Sequence, residues 1–211
     1  MIGEWFWKIA DPLLLRLRSR LEHLDDVRPS TRREDALRQA GAIAPTVRLL
    51  PEGSLSNLAA RDRLAIGDYT NVRGEVRVLT PDASIRIGRD CYIGPQTRIW
   101  AADGITIGDY VLIAHGVDIL DHDSHSLRAD QRREEARDLF ERRVEIDFTH
   151  VSMRRIVIED DVWIGAKSTI LKGVHIGRGA IVSAGTMVTK DVEAFTLVAG
   201  NPMRVVRQLE P

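Results

Sequence analysis

Two histidines and two aspartates alternate in one short stretch of the chain, in the order Asp121, His122, Asp123, Ser124 and His125. A histidine with an ordinary pKa of about 6.5 accepts a proton near neutral pH, so it can act as a general base. A carboxylate beside the ring fixes its tautomer and stabilises the imidazolium, and base catalysis of this kind contributes roughly a hundred- to ten-thousand-fold in rate. The stretch therefore predicts a proton-transfer site, with either histidine as the base and either aspartate as the orienting residue.

The surrounding sequence repeats every six residues. Aliphatic side chains occupy every sixth position in several runs: Ile66 and Val72; Ile87, Ile93 and Ile99; Ile107, Ile113 and Ile119; and Ile158, Ile164, Ile170, Ile176, Val182 and Val188. This period fits neither the repeat of about 3.6 residues in an α-helix nor the alternation of a plain strand. It is typical of a parallel β-helix, an all-β solenoid in which each step forms a short strand and a turn and three steps close a triangular coil. The small residues that follow many of these positions, mostly glycine, are expected where a turn needs a positive φ or a close backbone approach.

The repeat is interrupted by one long insertion. It stops at Leu120 and resumes near Ile156, so the histidine-rich stretch lies at the mouth of an insertion over residues 120–155. Long excursions from a compact fold are usually functional or disordered. Residues 128–143 combine strong helix formers with charges of both signs, which predicts a short solvated helix inside the insertion.

The chain is predicted to consist of an N-terminal part and the repeat region. Residues 1–60 should form a helical arm, up to about residue 42, followed by an irregular lead-in, which is the candidate region for the first imperfect coils. Residues 61–211 should form the β-helix with its insertion. The ladder of aliphatic residues is expected to end at Val188, and residues 199–210 are expected to cap the solenoid, because an end coil has no neighbour to cover it.

Composition argues against several classes of function. The 211 residues carry 30 basic and 31 acidic side chains, so no net field would attract nucleic acid. No run of about 18 apolar residues predicts a membrane-spanning helix, and charges interrupt the aromatic N-terminus around Trp5 and Trp7. That arm is expected to pack on its own domain or on a neighbouring subunit, with peripheral membrane contact as the alternative. The single cysteine, Cys91, is expected to be a small buried residue in a reducing, cytoplasmic compartment.

Three further stretches carry a resemblance to a known family. Residues 158–167, 183–191 and 199–207 read IEDDVWIGAK, SAGTMVTKD and AGNPMRVVR. They resemble the hexapeptide-repeat acyltransferases, and especially the galactoside, maltose and polysaccharide O-acetyltransferases, over roughly residues 60–209. The resemblance implies a left-handed parallel β-helix and a homotrimer. It also implies transfer of an acetyl group from acetyl-CoA to a hydroxyl, or less readily an amine, of a saccharide-type acceptor, without an acyl-enzyme.

The resemblance also selects among the candidate catalytic residues. Asp121-x-Asp123-x-His125 is similar to the Asp-x-Asp-Phe-His stretch of many sugar acetyltransferases, whose histidine is the general base. This makes His125 the expected base and His122 the second candidate, with Asp123 or Asp121 as the orienting carboxylate. Ser124 departs from the family pattern, in which an aromatic residue is common at this position.

Other positions match the family's binding residues. Trp163 is predicted to project outward from a turn and to form a wall of the acceptor site, with subunit packing as the alternative. The backbone N–H of Ala166 corresponds to a donor that faces the thioester carbonyl and would stabilise an oxyanion. The residues expected to bind acetyl-CoA are Ala166, Ala184, Thr189, Lys190, Arg204 and Arg207.

Two alternatives from other classes remain open. One is a non-catalytic β-helical scaffold or binding module. The other is a zinc-dependent protein like the β-helical carbonic anhydrases, which His115-Gly116 partly resembles. That signature lacks its second histidine because Leu120 stands there, and neither His150 nor His175 is suitably placed, so no metal is expected.

Overall fold

A computed structural model describes residues 35, 37, 39–143 and 147–211 of the chain. The chain divides into a unit of Met1–Ala36 and a unit of Leu37–Pro211, and the second unit is described below. Residues 37, 39 and 40 are helical. The rest of the predicted N-terminal arm lies almost wholly outside the described residues.

Three sheets of short strands form the second unit. Sheet A contains β1 (Ala42–Ile43), β4 (Leu64–Ile66), β7 (Ser84–Ile87), β10 (Gly104–Ile107), β13 (Ile156–Ile158) and β16 (His175–Ile176). Sheet B contains β2 (Arg48–Leu49), β5 (Asn71–Val72), β8 (Tyr92–Ile93), β11 (Leu112–Ile113), β14 (Trp163–Ile164), β17 (Ile181–Val182), β19 (Thr196–Ala199) and β20 (Arg204–Gln208). Sheet C contains β3 (Ser54–Asn57), β6 (Glu75–Val78), β9 (Arg98–Ala101), β12 (Asp118–Leu120), β15 (Thr169–Ile170) and β18 (Met187–Val188). From β1 to β18, successive strands enter successive sheets and pair in parallel with the strand three places on, so three strands complete one coil of a parallel β-helix.

The six-residue repeat produces a buried ladder inside this coil. Ile87 pairs in register with Ile107, and Ile107 with Ile158, and none of the three is more than 4% exposed. Burial of an aliphatic side chain contributes about 1.5–3 kcal/mol to folding stability. Each inward aliphatic residue, or rung, is covered by the coils above and below it. The repeat therefore specifies the core directly.

Two kinds of position shape the corners of the coil. The glycine after a rung permits close approach: a Cβ on Gly94 would lie 2.5 Å from the carbonyl carbon of Ala114 in the next coil. The residue three positions after a rung takes the positive φ instead, as at Tyr69, Asp90 and Tyr110, where φ is 56–59°. The glycines directly after the rungs are thus explained by backbone approach alone.

The coil begins earlier than the predicted boundary at residue 61. Strands β1, β2 and β3 already contribute one strand to each sheet. Their aliphatic residues, Ile43, Leu49 and Leu55, keep the six-residue spacing but are only partly buried. No glycine follows any of the three, so this end coil lacks the glycine signal of the later repeats.

The insertion between β12 and β13 contains the predicted helix. Helix α1 spans Ala129–Arg137, and π-helical residues Asp138–Arg142 continue it. None of the nine residues of α1 is buried, as its mixed charge predicted. A short 3₁₀ helix at Phe148–His150 precedes the return to the coil, and another at Arg61–Arg63 precedes β4.

The ladder extends beyond Val188, contrary to the sequence prediction. Val192 forms a parallel bridge with Ile176, and Val198 on β19 pairs with Val182; both valines are buried. A four-residue step between Val188 and Val192 changes the phase, which hides the continuation from a search at period six. Strand β20 then folds back antiparallel on β19. Among the described residues, no helix is long and apolar enough to cross a membrane.

Cys91 lies in the interior, as expected. It is 1% exposed, and its Sγ lies 3.2 Å from the carbonyl oxygen of Gly108. Burial raises the pKa of the thiol. The thiol therefore favours its protonated form and is a poor nucleophile.

Candidate functional site

His125 stands at the mouth of the insertion with its side chain 50% exposed. Its Nδ1 lies 3.1 Å from Oε2 of Glu135 on α1, and the other carboxylate oxygen accepts the backbone N–H of Ser126 at 3.2 Å. Within the described part of the chain, Nε2 of His125 makes no hydrogen bond. When Nδ1 donates to the carboxylate, Nε2 carries the lone pair, so the nitrogen without a partner is the one that can accept a proton.

Helix α1 is held against this loop by a set of bonds to one residue. The guanidinium of Arg132 donates to the carbonyl oxygen of Ser126 at 2.8 Å, and the Ser126 hydroxyl bonds the side chain of Gln131. Glu135 lies one turn after Gln131, on the same face of the helix. The side chain of Glu135 is only 14% exposed although the helix around it is solvated.

Sequence reasoning missed Glu135. The residue lies ten positions after His125 in a stretch of mixed charge, and a loop between them leaves no fixed spacing to read. The sequence does show that Glu135 lies four residues after Gln131 on a predicted helix, so the two share a face. It does not show that this face contacts His125.

The two aspartates predicted to orient the histidine are engaged elsewhere. Asp121 is fully buried, and its carboxylate accepts the backbone N–H groups of Ala102, Asp103 and Gly104 at 2.8, 2.9 and 2.6 Å. Burial raises the pKa of Asp121, and those three hydrogen bonds oppose the rise. Asp123 forms an ion pair with Lys172. Neither aspartate hydrogen-bonds the ring of His125, so the contact predicted for them is made by Glu135.

His122, the second candidate for the base, lies in the interior at 7% exposure. Its Nδ1 accepts the backbone N–H of Ser124 at 3.0 Å, and its ring packs edge-on against Phe148 with the centroids 5.3 Å apart. Burial lowers the pKa of His122, although the charges of Asp121 and Asp123 raise it. A buried ring whose acceptor nitrogen is already used is poorly placed to take a proton from a substrate.

Trp163 occupies strand β14 rather than a turn. Its side chain points outward from sheet B and is 51% exposed. Leu112 and Ile181 are its partners in register on the neighbouring strands. Each step of the repeat places one outward residue directly before the inward rung, which explains why a large aromatic residue fits there.

The predicted cofactor residues fall into three groups. Ala166 and Ala184 lie one coil apart at the corner after sheet B, where Gly185 donates to the carbonyl of Ala166 at 2.8 Å. Among the described residues the N–H of Ala166 makes no hydrogen bond, so this donor is available. Thr189 and Lys190 are exposed after β18, at the corner from which the insertion departs two coils earlier. Arg204 and Arg207 are exposed on the last strand, β20.

A cavity of about 500 Å³ lies between two turns of the coil and the insertion. Its lining includes Leu79, Ala102, Asp103 and Phe148. None of the predicted site residues lines it. The histidines of the zinc alternative lie on separate parts of the chain, and within the described ranges no three His, Cys, Asp or Glu side chains are grouped as metal ligands would be.

Comparison with known proteins identifies the repeat. The family profile described as "Hexapeptide repeat of succinyl-transferase" matches residues 84–120 and 155–190, the two runs on either side of the insertion. A 2,3,4,5-tetrahydropyridine-2,6-dicarboxylate N-acetyltransferase from Staphylococcus aureus (strain bovine RF122 / ET3-1) is 58% identical over 53 residues, which is 25% of this chain. The match spans only 22% of that relative's length.

Solved structures share the fold over most of the chain. AntD, an N-acyltransferase from Bacillus cereus solved with dTDP and 3-hydroxybutyryl-CoA, has a TM-score of 0.64 at 17% identity, covering 84% of this chain and 88% of its own. A hexapeptide-repeat-containing acetyltransferase from Vibrio cholerae O1 biovar eltor, solved with acetyl coenzyme A, has a TM-score of 0.53 at 25% identity, covering 96% and 92%. The chain therefore carries the repeats and the coiled fold of the hexapeptide-repeat acyltransferases.

Proposed function

We propose that the protein transfers an acetyl group from acetyl-CoA to a hydroxyl of a saccharide-type acceptor, with His125 as the general base. The observation that carries the proposal is the pairing of His125 with Glu135. The carboxylate holds Nδ1 at 3.1 Å, and the His125 side chain is half exposed at the mouth of the insertion, with Nε2 making no hydrogen bond to the described residues. This arrangement suits removal of a proton from a weak nucleophile, because the adjacent carboxylate stabilises the imidazolium that forms.

The reaction then follows in two steps. Nε2 of His125 removes the acceptor proton while the acceptor oxygen bonds to the thioester carbonyl carbon, and the N–H of Ala166 stabilises the oxyanion. The tetrahedral intermediate collapses, the C–S bond breaks, and the departing thiolate takes the proton back from His125. No protein nucleophile is needed, in keeping with the burial of Cys91.

An amine acceptor is the alternative within the same mechanism. The Staphylococcus aureus relative and AntD are named as N-acetyl- and N-acyltransferases, which favours testing amino sugars beside hydroxyl acceptors. A base at the same place would serve either nucleophile, because an amine also loses a proton as the amide forms.

We further propose that the working form is a homotrimer of left-handed coils. In one chain, His125 lies beyond sheet C, whereas Trp163 and Leu112 project from sheet B. Leu112 and Trp163 are each 51% exposed and adjacent in register, so they offer an apolar surface for a neighbouring copy. Packing of the sheet B surface against the corner after sheet C would bring Trp163 of one copy beside His125 of the next.

The test is release of free thiol from acetyl-CoA across a panel of sugars, amino sugars and nucleotide sugars. Mass spectrometry of the product should show the mass of an added acetyl group. Treatment with hydroxylamine then separates the two acceptor types, because it cleaves an ester and leaves an amide intact. An acetylated product that resists hydroxylamine would show that the acceptor group is an amine and not a hydroxyl. If no acceptor led to thiol release, the result would favour a non-catalytic scaffold.

A further inference from the structure

The root of the insertion is closed around His122. The outgoing and returning stems of the insertion meet there, because the backbone of His122 forms an antiparallel bridge with Met153. The N–H of Asp123 donates to the carbonyl of Ser152 at 3.0 Å, and the N–H of Arg154 donates to the carbonyl of Asp121 at 2.8 Å. His122 thus lies where the two stems are hydrogen-bonded to each other, three residues before His125.

The two nitrogens of this ring have different surroundings. Nδ1 accepts the N–H of Ser124 at 3.0 Å, so it carries a lone pair and the hydrogen of the neutral ring is on Nε2. Nε2 is buried and has no hydrogen-bond partner among the described residues. A buried unpaired N–H costs free energy that a phenylalanine or leucine of similar size would avoid. Packing alone therefore does not explain why position 122 is a histidine, whereas the hydrogen bond from the Ser124 N–H to Nδ1 does.

The residue that His122 binds is in an unfavourable backbone conformation. Ser124 has a φ of 66°, in the left-handed region that non-glycine residues rarely adopt. Its N–H is held by Nδ1 of His122, and the next residue in the chain is His125. The direction in which His125 leaves the stem thus depends on a turn that the His122 ring fixes.

We propose that His122 is a positioning residue: its neutral ring accepts the Ser124 N–H and so places His125 within reach of Glu135. This inference builds on the proposed function, because it assigns His122 a role in presenting the base. Asn at position 122 can accept the same N–H through its side-chain oxygen, as in an Asx turn, whereas Phe keeps an aromatic ring without an acceptor.

The experiment compares His122→Asn with His122→Phe. Because a misplacement of about 1 Å costs up to about a hundredfold in rate, we expect Phe to lower kcat by about tenfold or more with little change in KM for acetyl-CoA. Asn should restore kcat to within about threefold of wild type, with circular dichroism and melting curves confirming that both variants fold. Unchanged kcat in the Phe variant, or an Asn variant as slow as Phe, overturns the inference.

A second measurement does not depend on activity. The Ser124 amide of the wild-type protein should be protected from hydrogen exchange, and its exchange should be faster by about tenfold or more in the Phe variant only. An unprotected Ser124 amide in the wild type overturns the inference even if the Phe variant fails to fold. His125→Ala separates the two proposals: if it retains wild-type kcat, the proposed function fails, whereas the amide-exchange result still decides the role of His122.

Discussion

A single carboxylate, that of Glu135, holds both the ring of His125 and the backbone beside it. Glu135 contacts Nδ1 and also accepts the N–H of the next residue, Ser126, so it fixes both the ring and the backbone beside it. The motif around His125 could be found in the sequence because its five residues are contiguous. Its partner could not, because the contact depends on where the insertion folds back. Asp121 and Asp123, which lie four and two residues before His125, bind other partners.

Glu135→Gln should lower kcat because the amide can accept from Nδ1 but carries no charge to stabilise the imidazolium. A hydrogen bond to a charged group is worth about 1.5–3 kcal/mol, which corresponds to a loss of roughly ten- to hundredfold. Steady-state kinetics would measure this loss of kcat in Glu135→Gln. Glu134→Gln is the matched control, since Glu134 lies beside it on α1 and its carboxylate pairs with Arg137 and Arg142. Equal kcat in the two variants would contradict the role of Glu135.

The pKa of His122 predicts how stability depends on pH. Burial lowers that pKa below the ordinary value of 6.5, so the unfolded state binds a proton more readily than the folded state does. The neutral His122 ring therefore contributes its full share of folding stability above the pKa that it has in the unfolded state. That stability is lost as the pH falls from about 6.5 toward the pKa of the folded state. The free energy of unfolding, measured with urea at several pH values from 7.5 to 5, should therefore fall less steeply with falling pH for His122→Asn than for wild type. The same pH dependence of the unfolding free energy in both proteins would show that titration of His122 does not affect stability.

Among the elements, the strands were easier to predict than the corners and the insertion. Each rung is one aliphatic residue at a fixed spacing, so the sequence reveals the core of every coil that keeps the period. The first coil was expected only as an imperfect part of the lead-in, because no glycine follows its aliphatic residues. Val192 was missed because it follows a change of phase. The fold of the insertion depends on tertiary contacts such as the bridge between His122 and Met153, which no local pattern encodes.

Gly94→Ala should destabilise the coil, because the added Cβ would lie 2.5 Å from backbone atoms that cannot move independently. Overpacking of this kind costs about 1–3 kcal/mol, and a melting curve should shift down by several degrees. Gly104→Ala is the control, since its Cβ would meet only the flexible side chain of Arg155 at 3.3 Å. If both variants melted at the same temperature, close approach would not explain the glycines after the rungs.

The proposed trimer would bring together features that lie on different sheets of one chain. Leu112→Lys places a charge in the proposed subunit contact on sheet B and should convert a species of three 23.7-kDa chains into a monomer with little activity. Val157→Lys is the control, because Val157 is 38% exposed on sheet A. Light scattering after size exclusion would measure the masses. A wild-type protein that is monomeric and fully active would refute the shared site.

The claim on which the function depends is that His125 removes the acceptor proton. His175 offers a matched comparison, since its side chain is also 50% exposed and lies 2.7 Å from a carboxylate, that of Glu159, but it stands on β16 of sheet A. With the best acceptor from the panel, His125→Ala should lower kcat by roughly a hundred- to ten-thousand-fold, and His175→Ala should leave it unchanged. Equal kcat in the two variants would contradict the assignment of His125 as the base.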